Sequence, residues 1–157
     1  MAAAGNSKMH ITLSSQNISF SLKKKNVVKK LLLFLIRKEK KKPGNISFTF
    51  CNDAFLLALN KKFLKHNTLT DIITFPGFPP SPLLGVRGMR GEVSGEIFIS
   101  IPRVKENAKK FGVTFENELH RVLIHGALHL CGYKDKDPLQ KNKMRSKEDH
   151  YLKHINE

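Results

Sequence analysis

The 157-residue sequence predicts a single α+β domain: a mixed β-sheet of about four strands packed with about five helices, with a metal site at the end of a central helix. Three observations predict it. Short segments that alternate apolar and polar residues are interleaved with longer ones whose apolar residues recur at helical spacing. No internal repeat divides the chain, and its length suits one domain that buries a core without staples. Two histidines four residues apart, His125 and His129, fall on one predicted helix, where two imidazoles can meet one ion.

The elements follow in order. Residues 1–9 read as an N-terminal extension, expected to be disordered, and the domain takes 10–157. "HITLSSQNISFSL" (10–22) alternates as one or two short strand pieces. From Leu22 to about Lys40, Val28, Leu31, Leu32, Leu35 and Ile36 form a helical stripe with lysines on the other side. Pro43 and Gly44 are read as its stop. "ISFTFC" (46–51) is a strand, and Asn52 or Asp53 caps a helix running to about Leu64. "TDIITF" (70–75) is a third strand. The next stretch, 76–95, holds four prolines and five glycines and reads as irregular. "EIFISI" (96–101) is a β-branched strand. Pro102 opens a helix that ends at Phe111 before Gly112. Thr114, with Asn117 or Glu118 beyond it, starts the histidine helix, which Gly132 ends. A last helix runs from near Pro138 towards Tyr151.

Composition narrows the function classes. The chain has 28 Lys and Arg against 13 Asp and Glu, a formal net charge of +15. Ten of those lysines and Arg37 lie in residues 1–42 against one acid, Glu39. Such a field favours capture of a polyanion, and the scarcity of aromatics among these lysines points to the nucleic-acid backbone rather than to base stacking. Lys23, Lys24, Lys25, Lys29 and Lys30 are the candidate nucleic-acid-binding residues, with a solvated helix face as the competing reading. Only two cysteines, Cys51 and Cys131, argue against a disulfide framework and suit a reducing cytosol. The apolar run "LLLFLI" (31–36) is too short to span a bilayer. A cytoplasmic protein with no membrane partner is expected.

The chemistry concentrates in "RVLIHGALHLCGYKDKD" (121–137). His125 and His129 sit one helical turn apart. Gly126 permits close approach beside them, and Gly132 turns the chain back so that Asp135 or Asp137 can reach the same ion. The glutamate of an H-E-x-x-H metalloprotease is absent, since Gly126 follows His125. His120 is expected on the surface. Arg87 and Arg90, in the Gly/Pro-rich stretch, are further candidate phosphate contacts, but a mobile solvated loop is the default reading.

"HGALHLCGYKDKD" resembles the signature of the YbeY-type endoribonucleases, bacterial rRNA maturation factors with the motif H-G-x-L-H-L-x-G-Y-D-H. His125, Gly126, Leu128, His129, Leu130, Gly132 and Tyr133 match it position by position. "LNKKFL" (59–64), "TDIITFP" (70–76), "SGEIFIS" (94–100), "NAKKFG" (107–112) and "MRSKEDHYL" (144–152) are similar to family blocks in the same order. The resemblance implies one divalent metal ion, zinc first, held by His125, His129 and a third ligand. The family's third histidine is here Asp135, whose carboxylate is also acceptable to manganese or magnesium. Leu64 stands where the family pattern has an arginine that assists catalysis, Leu69 replaces a proline, and Glu96 replaces an aspartate. Arg121, one helical turn before His125, is the candidate catalytic substitute for that arginine beside the metal; a solvated surface arginine is the competing reading.

The resemblance implies a metal-dependent, single-strand-specific endoribonuclease acting in rRNA maturation, at the small-subunit rRNA 3′ end, and in ribosome quality control. Its implied partners are ribosomal RNA and its precursors, the small ribosomal subunit and assembly factors. The alternative reading is a non-catalytic RNA- or ribosome-binding protein that keeps a structural metal. A hydrolase of peptides or small molecules is disfavoured by the missing glutamate and the charge.

Overall fold

The computed structural model describes residues 10–77 and 91–155. The expected extension 1–9 and the candidate phosphate contacts Arg87 and Arg90 lie outside the described residues.

Four strands form one sheet in the order β1-β2-β4-β3: β1 (His10–Ser15), β2 (Lys42–Cys51), β3 (Ile72–Pro76) and β4 (Glu92–Ser100). β1 and β4 both run parallel to β2, and β3 pairs antiparallel with β4. The helices are α1 (Lys25–Lys38), α2 (Asp53–Leu59), α3 (Ile101–Phe111), α4 (Phe115–Leu130) and α5 (Pro138–Ile155). The expected α+β class, strand number and helix number are all observed.

Alternation along the strands sorts the core into two sides. Phe48, Phe50, Ile97 and Ile99 share a cluster with Leu32, Leu35 and Ile36 of α1, Leu123, Ile124 and Leu128 of α4, and Tyr151 of α5. On the other face, Ile73, Phe75 and Phe98 pack with Leu56 of α2. All of these side chains are buried, so truncating one aliphatic member to alanine is expected to cost about 2–5 kcal/mol. α4 is covered on most of its circumference, burying even Glu118 and His120. His120 is therefore not the surface residue its sequence position suggested.

Several boundaries differ from the sequence reading for identifiable reasons. The first strand segment is one strand, ending at Ser15. α1 ends at Lys38, five residues before Pro43, and Glu39 caps it. Pro43 and Gly44 instead lie inside β2, in a part that pairs only with β4; β1 joins the ladder from Asn45 onward. A proline there forfeits no ladder bond on its open side. β4 begins at Glu92, inside the stretch read as irregular, because Gly95 is tolerated and required: at φ 152°, a Cβ on it would lie 2.4 Å from the Phe75 carbonyl oxygen. The second helix is α-helical only to Leu59 and finishes as one π turn, Asn60–Leu64.

Candidate functional site

α4 supplies the frame. Thr114 Oγ1 accepts a hydrogen bond from the Asn117 amide at 3.0 Å, and Glu116 and Glu118 in the first turn suit the positive end of the helix dipole. Gly126 lets α4 settle onto the sheet, since a Cβ there would lie 3.0 Å from both Ile72 Cδ1 and Ile97 Cδ1. Hence it is the sheet itself that comes close at Gly126.

His125 and His129 face each other with ring centroids 4.5 Å apart and planes at 83°. Beyond the helix, Gly132 at φ 109° reverses the chain. Asp135 then returns to the two imidazoles: its Oδ2 is 3.3 Å from His125 Nε2 and 3.4 Å from His129 Nε2. Donor atoms bound at about 2.0–2.2 Å around a tetrahedral zinc stand roughly 3.3–3.6 Å from each other. Both measured separations fall in that range, and one ligand atom from each residue lies within 4.8 Å of the others.

The outer contacts orient the same donors. His125 Nδ1 is 2.6 Å from Glu148 Oε2, and His129 Nδ1 is 2.9 Å from the Tyr133 carbonyl oxygen. A carboxylate and a carbonyl can only accept, so each Nδ1 carries a proton, and Nε2 is the ring nitrogen turned towards Asp135. Two imidazole nitrogens and a carboxylate oxygen, so held, fit a divalent ion. Asp137, the other aspartate within reach, is engaged elsewhere: its Oδ1 accepts from the Gln140 amide at 2.7 Å and caps α5.

Glu148 is buried and shared. Its Oε1 accepts from Arg121 Nη1 at 2.9 Å, and Arg121 Nη2 donates to Asp149 Oδ1 at 2.7 Å. Arg121 thus lies on the wall of the same cleft as His125, with its guanidinium clamped to two carboxylates of α5. The cleft, about 450 Å³, is also lined by Asp71, Lys141 and Arg145.

Charge interactions in the cleft are strong. Burial lowers the proton affinity of His125, but the Glu148 hydrogen bond and the charges of Glu148, Asp135 and Asp71 outweigh it, leaving the pKa raised. Burial and the neighbouring His125 lower that of His129. Burial raises the Asp71 carboxyl above the usual range; it raises Glu118 too, helped by the charges of Asp71 and Glu148. The Cys131 thiol is buried and pushed up to about 12 by desolvation, which makes it inert.

The expected RNA-binding lysines are elsewhere. Lys23, Lys24, Lys25 and Lys30 are exposed and Lys29 is half-buried, all at or before the first turns of α1. Lys23 borders a hollow with Glu116, Leu119 and His120, in the N-terminal half of α4. At 1.5 Å per residue that is roughly 14–20 Å along the helix from His129. Leu64, at the end of the π turn, offers the site no charge. The sequence reading did not single out Glu148, Lys141 or Arg145. Residues 141, 145 and 148 do share one α5 face by their spacing. Only tertiary packing reveals that this face meets α4.

A family model described as Endoribonuclease YbeY matches residues 10–156. The Endoribonuclease YbeY of Flavobacterium psychrophilum is 48% identical over 119 residues, which is 76% of this chain and 78% of that protein. Its namesake in Flavobacterium johnsoniae is 45% identical over 130 residues, 83% of this chain and 86% of that one. The solution structure of TM1509 from Thermotoga maritima superposes with a TM-score of 0.61 at 28% identity, covering 93% of this chain and 89% of its own. A match that runs from the first strand to the end of α5, with relatives this similar over most of their length, places the chain in the endoribonuclease YbeY family.

Proposed function

We propose that this chain is a metal-dependent, single-strand-specific endoribonuclease of the cytoplasm. Its role is in rRNA maturation, at the small-subunit rRNA 3′ end, and in ribosome quality control. Its partners are precursor ribosomal RNA, the small ribosomal subunit and assembly factors. The observation that carries the enzymatic part is the convergence of His125 Nε2, His129 Nε2 and Asp135 Oδ2 in an open cleft, in a chain of this family.

His125, His129 and Asp135 would hold one divalent ion, zinc first, with manganese or magnesium admitted by the carboxylate. Such an ion, when bound, supplies Lewis-acid polarisation and a water acidified towards neutrality. The protein's own residues do the rest. Glu148 and the Tyr133 carbonyl fix both histidine tautomers. Arg121 holds Glu148 in place on the cleft wall and, with its charge shared between Glu148 and Asp149, is the candidate to offset charge growing on the phosphoryl oxygens as the bond breaks. Asp71, raised by burial and lining the cleft, is suited to carry a proton. Lys23, Lys24, Lys25, Lys29 and Lys30 capture the RNA backbone away from the scissile bond, with strong salt dependence. Among the described residues no helix is long and apolar enough to cross a membrane.

The test is to purify the protein without added metal, measure bound metals by mass spectrometry, and incubate it with single-stranded RNA with and without EDTA. About one equivalent of metal and EDTA-sensitive cleavage support the reading. Stoichiometric metal and RNA binding without cleavage would replace it with a structural-metal RNA-binding protein.

A further inference from the structure

Two exposed aromatic rings stand out among the described residues, Phe34 at 40% and Phe111 at 56% relative exposure. Phe34 already packs on Tyr151 and His154, with ring centroids 6.3 and 5.0 Å away. Phe111 has no such ring neighbour among the described residues. It is the last residue of α3, followed by Gly112 at φ 69°, and it lines the same cleft as His125 and Asp135. α5 brings Lys141 and Arg145 to that cleft, both on exposed residues. An apolar ring and two cations on exposed residues therefore border one open space beside His125 and Asp135.

We infer that this end of the cleft is a nucleotide subsite for unpaired RNA: Phe111 stacks one base while Lys141 and Arg145 hold the adjacent phosphates. The inference rests on the proposed ribonuclease reading and adds how the strand is seated. A flat ring in solvent beside phosphate-binding cations is the combination that single-strand binders use, because every base has a π-face and every nucleotide a phosphate. A duplex cannot offer a stacked-in base to Phe111, so the subsite itself selects for unpaired RNA. It makes the seating tolerant of sequence, since neither the ring nor the two cations read base edges. Asp71, Glu118 and Glu148 face the same space and would repel an anion, which leaves the α5 cations to set where the phosphates lie.

The experiment measures binding of a fluorescent single-stranded RNA 12-mer by anisotropy, in EDTA so that no cleavage intervenes. Wild type is compared with Phe111→Ala, Phe111→Tyr and Lys141→Gln/Arg145→Gln. A second series uses the same oligomer made abasic throughout. Phe111→Ala should weaken binding of the normal RNA roughly 5- to 100-fold, Phe111→Tyr should restore it, and the abasic RNA should not distinguish the three. The double charge variant should flatten the plot of log affinity against log salt by about 1.4. Phe111→Ala with unchanged affinity, or an equal loss on abasic RNA, overturns the subsite while leaving the nuclease reading intact. If wild type binds the RNA and cleaves it on adding metal, that reading survives such a result. If wild type does neither, both fall.

Discussion

Glu148 Oε2 lies 2.6 Å from His125 Nδ1, so a carboxylate on α5 fixes the orientation of an imidazole on α4. The same carboxylate takes a hydrogen bond from Arg121 at 2.9 Å. Partners of this kind orient a metal-binding histidine and raise its basicity. Glu148→Gln keeps the size and one acceptor but loses the charge, and it leaves Arg121 with a single carboxylate. Zinc affinity, followed by competition with a chromophoric chelator, is expected to fall about 10-fold, the low end of the usual range. An unchanged affinity would mean that Glu148 supports only the α4–α5 contact.

Asp135 is the least buried of the three donors, its side chain 39% exposed, and it sits equally close to both Nε2 atoms. Asp135→Ala removes the third donor without touching the core. Zinc affinity should then fall by more than the roughly 10- to 100-fold typical of losing an outer contact. Asp135→His exchanges a hard oxygen for an imidazole nitrogen. Metal content after growth in mixed metals, read by mass spectrometry, should shift towards zinc and away from manganese. Equal metal content in wild type and Asp135→Ala would remove Asp135 from the site.

Glu39 ties three elements together at the end of α1. Its carboxylate accepts from Tyr133 Oη, Tyr151 Oη and Lys147 Nζ, the last at 3.0 Å. Burial alone would raise its pKa, but the hydrogen bonds from both tyrosines and Lys147 outweigh it and the carboxyl lies below its ordinary value. A depressed carboxyl contributes stability above its unfolded pKa, near 4.5, and that contribution disappears as pH falls through the folded value. Charge-assisted bonds of this kind are worth about 1.5–3 kcal/mol, less here for the half-exposed Lys147. Glu39→Gln should lower stability by roughly 2 kcal/mol at pH 7 in urea unfolding, with the gap to wild type closing below pH 4.5. A gap that stays constant with pH would show that packing, not charge, holds this junction.

Much of the frame was legible because its signals are local. Asn52 and Thr114 were readable as caps, Gly112 and Gly132 as stops, and the His125–His129 spacing as two imidazoles on one helix face, since each depends only on nearby residues. The start of β4 was hidden because Gly95 looks like a turn residue, whereas it is there to let the Phe75 carbonyl approach. His120 is buried by the packing of α4 in the core, which its charged neighbours Glu118 and Arg121 disguise. Glu148, Lys141 and Arg145 lie in a helix with no clear apolar stripe, so the side that meets α4 left no periodic signal.

Gly126 sets how deeply α4, and with it His125, rests on the sheet. A Cβ at this position would meet Ile72 Cδ1 and Ile97 Cδ1 at 3.0 Å and Ile97 Cγ2 at 3.2 Å. The Cδ1 atoms are ends of side chains and can yield by a few tenths of an ångström, unlike the backbone oxygen that blocks Gly95. Alanine also gains about 1 kcal/mol of helix propensity over glycine, which offsets part of an overpacking cost of about 1–3 kcal/mol. Gly126→Ala should therefore lose no more than about 2 kcal/mol in urea unfolding, whereas Gly95→Ala should fail to fold. Ile97→Val removes one of the contacting Cδ1 atoms at its own cost of about 0.5–1.5 kcal/mol. Combined with Gly126→Ala, it should lose less than the sum of the two single changes, by about 0.5 kcal/mol or more. Strict additivity would show that α4 lifts off the sheet as a unit, and zinc affinity in Gly126→Ala would then fall together with stability.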